Sequence, residues 1–225
     1  MNVQDRRRGI RAIDGARPVG QAPVIPRARR TTVCILNNPI GDIPMLSLWL
    51  PILLSAVFVF ILSGILHMAL PWHKKDFKKV PDEDKVRDAL RPFDVPPGDY
   101  MMPMCEGSDW NSPEFKAKLD AGPNLLLTVL PKGQGNMGLT FVQWFVFLLV
   151  VGFFTAYVAH HTVPADATYL AVFRIVGAVS FLAYAAAQWP QSIWMRRSWC
   201  TTVKCTIDGL LYGLVTAGTF AWLWP

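Results

Sequence analysis

The 225-residue sequence is short of charge: Asp, Glu, Lys and Arg make up 17% of it, against roughly 25% in an ordinary soluble domain. Two of its apolar runs, 46–70 and 138–159, contain no charged residue at all. Four Cys in a chain of this length make no disulfide scaffold, and Cys200 and Cys205 fall outside CxxC spacing. A nucleophile elbow and a zinc-protease HExxH are missing, and Gly133, Gly135 and Gly138 flank a turn with no Walker-type Lys-Ser/Thr. These absences remove stapled secreted domains, P-loop nucleotide chemistry, serine hydrolysis and zinc proteolysis. The net charge of +6 would suggest nucleic acid. Position removes that class too, because eight Arg and three Asp within residues 1–43 account for +5 of it.

What the sequence has instead is apolar bulk: 52% hydrophobic residues, with 9 Trp and 13 Phe. About 20 apolar residues cross a bilayer, and four segments qualify on that reading: 46–70, 138–159, 167–189 and 206–224. Trp72, Trp144, Trp189, Trp194, Trp199, Trp222 and Trp224 mostly lie near segment ends, as an interfacial aromatic belt requires. The first two segments carry no polar face at a 3.6-residue period, so they do not suit a soluble bundle. The first is also too long for the core of a signal peptide. The expected fold is an all-α integral membrane protein of four transmembrane helices, with a small cytoplasmic α+β insertion over 72–137 between the first and second helices.

Orientation follows from Lys and Arg. The 72–137 connection holds ten of them, with Lys74, Lys75, Lys78 and Lys79 directly against the membrane, whereas 160–166 holds none. This places the insertion and the turn at Arg196 and Arg197 inside, and both chain ends outside. Residues 1–44 are Pro/Arg-rich and aperiodic and read as a disordered basic extension. Gly41-Asp42, a short spacing ahead of Met45, can encode a ribosome-binding site, so Met45 is the expected translation start; a polybasic lipid-binding tail is the alternative. Within the insertion, Pro81-Asp82-Glu83-Asp84 and Ser112-Pro113-Glu114 predict helix starts, and Pro92 and Gly122-Pro123 predict stops. Residues 100–104 and 124–130 predict short strands.

The stretches LHMALPWHKKDFKKVP, LRPFDVPPGDYMMP, SIWMRRSW and AGTFAWLWP resemble a family of small bacterial inner-membrane proteins. The resemblance covers residues 45–225. It implies a multi-pass inner-membrane location and carries over no reaction and no binding residue.

Few residues within the apolar segments carry chemistry. Arg174 in the third segment costs roughly 2.5–3.5 kcal/mol at a helix centre, about what the neighbouring Leu, Ile, Phe and Val return. It is expected to reach lipid phosphate, an acidic group on another protein, or an anion. Asp208 is expected near the start of the fourth helix, roughly 15–20 Å from Arg174 along the membrane normal. His67, Lys204 and Asp208 are expected to meet in one polar node at the inner end. Gly209, Gly213 and Ala217 form a small-residue stripe suited to close helix packing, within the chain or against a partner. His160, His161 and Asp166 are expected in one outer loop. Neither they nor the soft donors Met101, Met102, Met104 and Cys105 make a convincing metal site, so no metal and no cofactor are expected.

The expected function is non-enzymatic: an accessory or structural subunit that docks to other membrane proteins, as part of a homo-oligomer or a larger membrane complex. A small transporter or channel component using Arg174 or Asp208 is the alternative. The lipid bilayer is the expected partner, and nucleic acid is not.

Overall fold

A computed structural model describes residues 44–105, 107 and 109–225 of the chain. The basic extension expected over 1–44 lies outside the described residues, its last position apart. Helix α1 (Trp49–Gly64) is entered through a 3-10 turn at Met45–Leu48 and left through a wider π turn at Ile65–Ala69. The insertion follows, with α2 (Glu83–Leu90), β1 (Gly98–Met102), α3 (Pro113–Ala121) and β2 (Leu125–Val129). The chain then returns through α4 (Met137–Thr162), α5 (Tyr169–Ala185), the short α6 (Trp189–Ile193) and α7 (Trp199–Trp222).

The insertion is a small α+β unit. Its two strands pair antiparallel in the register Gly98–Val129 to Met102–Leu125, each within two residues of the expected positions. The Ser112 hydroxyl caps α3 by accepting from the Phe115 amide at 3.2 Å, and Gly122 ends the helix at a positive φ of 58°. Phe115 is buried there, with the Trp110 ring edge-on at 5.4 Å.

Among the described residues, three helical stretches are long and apolar enough to cross a membrane: Met45–Ala69, Met137–Thr162 and Tyr169–Ile193. The fourth expected span does not reach that mark. Helix α7 has 24 residues, but Lys204, Asp208 and five threonines dilute its apolar content. Where those residues point is informative. Thr201, Thr202, Asp208, Thr216 and Thr219 are buried against the other helices, whereas Val203, Ile207, Leu210 and Leu214 are exposed. The helix thus carries its polar side chains inward and its aliphatic ones outward.

Helices α5 and α7 form the most extensive pair in the bundle. Gly209 and Gly213 make the approach possible. A Cβ at Gly209 would fall 2.9 Å from the Ala185 Cβ, and one at Gly213 would fall 3.2 Å from the Phe181 amide nitrogen. Ala217, the third residue of the stripe, is fully buried in the same seam. Gly152 on α4 plays the corresponding part toward α1, facing Ile52.

The two ends of the bundle are packed differently. The end away from the insertion closes on Leu48, Ala156, Ala159, Val172, Val176, Ala217 and Phe220, all at 0% exposure. The end nearer the insertion is built around larger rings: Tyr184 and Tyr212 are buried, and Phe60, Trp144 and Phe145 pack beside them. Aromatic rings pack less evenly than alanines do, and a cavity opens at this end.

Candidate functional site

The cavity is a vestibule of about 910 Å³ lined by α1, α4, α5 and α7. Its walls are Phe60, Phe141, Trp144, Phe147, Tyr184 and Tyr212. Ser63, His67, Gln188, Arg197, Cys205 and Asp208 supply its polar groups. The wall is braced by a hydrogen bond from the Trp144 indole N–H to the Ser63 hydroxyl at 2.9 Å, while that hydroxyl donates to the Phe60 carbonyl at 2.8 Å. Trp144 and Tyr184 each also lie against Phe147 or Tyr212 within 6.3 Å.

At one end of the vestibule is a chain of charged side chains drawn from two segments. The π turn ends α1, and Leu70 then extends into Pro71, whose fixed φ starts a tight turn over Pro71–His73. That reversal carries His73 back against the bundle. His73 Nε2 lies 2.8 Å from Asp208 Oδ2, and His73 Nδ1 lies 2.6 Å from Asp76 Oδ2. The other oxygen of Asp76 accepts from the Lys204 ammonium at 2.7 Å, and Lys204 also donates to the Trp72 carbonyl at 2.9 Å. The His67 ring stacks on His73 at 4.3 Å, with its planes only 7° apart, and its Nδ1 faces the Ser63 carbonyl at 3.1 Å.

The charged chain is withdrawn from solvent, with side-chain exposure of 11% for His73, 7% for Asp76, 4% for Asp208 and 18% for Lys204, while the His67 ring stacked on it is exposed. Burial pushes the Asp76 carboxyl up, but the hydrogen bonds from Lys204 and His73 outweigh it and hold it below its ordinary value of 3.8. The second oxygen of Asp208 and the Tyr212 hydroxyl, one helical turn apart, are buried with no hydrogen-bond partner among the described residues. Unsatisfied buried polar atoms are costly, and here both lie on residues that line the vestibule.

The residues singled out in the sequence are placed as follows. His67 and Asp208 do come together, but through His73, which like Asp76 is not among the residues expected at the node. Lys204 lies one turn from Asp208 yet makes its ion pair with Asp76. Asp208 is not in the first turn of its helix, because α7 begins at Trp199 rather than near 206. Arg174 is exposed on the outside of α5, bordering a shallow groove with Phe173, Phe181, Leu210 and Leu214. His160 and His161 lie in the last turn of α4 rather than in a loop, and the His161 ring bonds back to the Tyr157 carbonyl at 2.8 Å. A signal for His73 and Asp76 was present: a proline right after an apolar helix, followed by His and Asp three residues apart.

No protein-family model, curated protein or solved structure matches this chain. The site therefore rests on its own geometry.

Proposed function

We propose that the chain is a four-span protein of a bacterial inner membrane, with its insertion on the cytoplasmic side. In this reading it acts without catalysis, as an accessory subunit that holds an amphipathic guest in the vestibule. The vestibule is the observation that carries the proposal. Its volume falls within the range typical of small-molecule sites, its walls are aromatic, and its polar end presents Asp208 and Tyr212 with hydrogen-bonding capacity unspent. An apolar tail along the rings with a polar head at Asp208 uses both features.

The outward aliphatic and inward polar faces of α7 support a fourth span, since polar groups inside a membrane face the bundle interior. Lys74, Lys75, Lys78 and Lys79 beside the end of α1 support the orientation. Holding a guest is better supported than conduction, because the far end of the bundle is filled by fully buried side chains. Docking to further membrane proteins remains part of the proposal, but through faces other than the Gly209–Gly213 seam, which α5 occupies.

The test uses Trp144 fluorescence in lipid nanodiscs, titrated with an amphiphile brominated near its tail. Saturable quenching that Trp144→Phe removes is the expected result. Quenching that rises linearly with added amphiphile, as for simple partition into lipid, overturns the reading.

A further inference from the structure

His73 presents a donor-counting problem whose solution points to a metal ion. Each of its ring nitrogens faces a carboxylate oxygen, Asp76 Oδ2 on one side and Asp208 Oδ2 on the other. A neutral imidazole has a single N–H. With that hydrogen donated to one carboxylate, the second contact would set a lone pair against an anion unless a further cation sits there. The cation is a proton or a metal ion.

Three observations favour room for a metal. The donor atoms of His67, His73 and Asp208 lie within 4.8 Å of one another. Asp208 is 3% exposed and keeps one carboxylate oxygen without a partner among the described residues. Both imidazoles are oriented from behind as metal-binding histidines usually are. His73 Nδ1 faces the Asp76 carboxylate, itself fixed by Lys204, and His67 Nδ1 faces the Ser63 carbonyl. Each ring thereby leaves Nε2 as its available donor.

We propose that His67 Nε2, His73 Nε2 and the Asp208 carboxylate bind one divalent ion of the Zn²⁺ class, with its remaining position open to the vestibule. Two nitrogens and one oxygen suit such an ion, and three protein ligands with an open fourth position form a site that accepts an exogenous ligand. Donors around a tetrahedral ion with bonds of about 2.1 Å stand roughly 3.4 Å apart. The donors, within 4.8 Å of one another, take up that spacing as the ion binds, and the 2.8 Å His73–Asp208 contact opens to admit it. On binding, the ion takes the lone pairs of both Nε2 atoms and a carboxylate oxygen, and any proton held between His73 and Asp208 leaves to water. Asp76 touches no metal in this arrangement and is a positioning residue.

This site does not depend on a guest in the vestibule, and its test contains none. Chelator-treated full-length protein in nanodiscs is titrated with Co²⁺ while visible absorption is read, and Zn²⁺ is then added as competitor. One Co²⁺ per chain with a ligand-field band, displaced by Zn²⁺, is expected. His67→Ala and Asp208→Asn should each weaken binding at least 10-fold, and Asp76→Asn by 10–100-fold with the band shifted. His67→Ala leaves the His73–Asp208 contact in place, so it remains informative if Asp208→Asn fails to fold, with helical circular dichroism as the check. Absence of stoichiometric Co²⁺ uptake by the wild type assigns the cation to a proton and overturns the proposal. Uptake that survives His67→Ala in folded protein overturns it as well.

Discussion

Asp208 Oδ2 and His73 Nε2 meet at 2.8 Å across 135 residues of sequence. That contact ties the middle of α7 to the segment that leaves α1, and Asp76 and Lys204 extend it into a four-residue chain. Most of the other polar contacts inside the bundle are local to one helix, such as the Ser180 and Thr216 hydroxyls bonding back to carbonyls four residues earlier. The charged chain therefore specifies which helix end sits against which.

Breaking the chain from one side leaves a buried hydrogen-bonding group without its partner. Asp208→Ala is expected to destabilise the bundle by about 1–3 kcal/mol, the usual cost of leaving a buried hydrogen-bonding group unsatisfied. Thermal unfolding in mild detergent, followed by circular dichroism, reads the change. Asp208→Asn keeps an acceptor for His73 and should fall between the variant and wild type. An Asp208→Ala protein that melts with the wild type would mean the contact does not hold the two segments together.

Asp76 gives the fold a dependence on acid. Its carboxyl is held below the ordinary 3.8 by Lys204 and His73 against the opposing effect of burial. A carboxylate whose folded value is depressed contributes its full stability above the unfolded value and loses it as pH falls through the folded one. Stability of chelator-treated protein should therefore be steady in this respect above about pH 4 and decline below it. Asp76→Asn should lower stability at neutral pH and remove that part of the acid decline. A variant whose melting follows the wild-type acid profile would contradict the assignment.

The seam between α5 and α7 tolerates no added side chain at its tightest point. Gly209→Val would drive atoms into Ala185, where even a Cβ stands 2.9 Å from the neighbouring Cβ and 3.1 Å from backbone. A loss of about 1–3 kcal/mol is expected from such overpacking. Gly64→Ala is the matched control: its Cβ meets nothing within 4 Å and its φ of −59° is helical. It should leave stability unchanged or raise it by about 0.5–1 kcal/mol.

Arg174 is exposed on α5 and makes no ion pair among the described residues. Arg174→Leu should leave the thermal stability of the isolated chain intact. Native mass measurement after gentle extraction then decides its role, since loss of a heteromeric complex in the variant marks Arg174 as a docking residue. Unchanged assembly removes the docking role and leaves lipid phosphate or an anion, which an anion-binding assay of the same variant separates.

Much of the architecture could be read from order and composition. Charge-free runs such as 46–70 announce membrane helices because the bilayer demands length and apolarity of each one separately. Ser112-Pro113 and Gly122-Pro123 bracket α3 for equally local reasons, a hydroxyl cap and a left-handed stop. Local signals were weakest at α7, whose polar residues serve contacts to other helices and so lower the very hydropathy that marks a span. They also place its start near 206, whereas the helix begins at Trp199.

Sequence alone determined which segments are helical, that several are long and apolar enough to cross a bilayer, and where the small insertion lies, because those properties depend on neighbours within a turn or two. Tertiary structure decided that His73 and Asp76 join Asp208 and Lys204, that Lys204 bypasses the acid one turn away, and that a vestibule opens among the helices. Each of these depends on how far apart whole helices stand. That distance is set by Gly209 and Gly213 on one seam and by Trp144, Tyr184 and Tyr212 beside the vestibule, residues brought together only by packing.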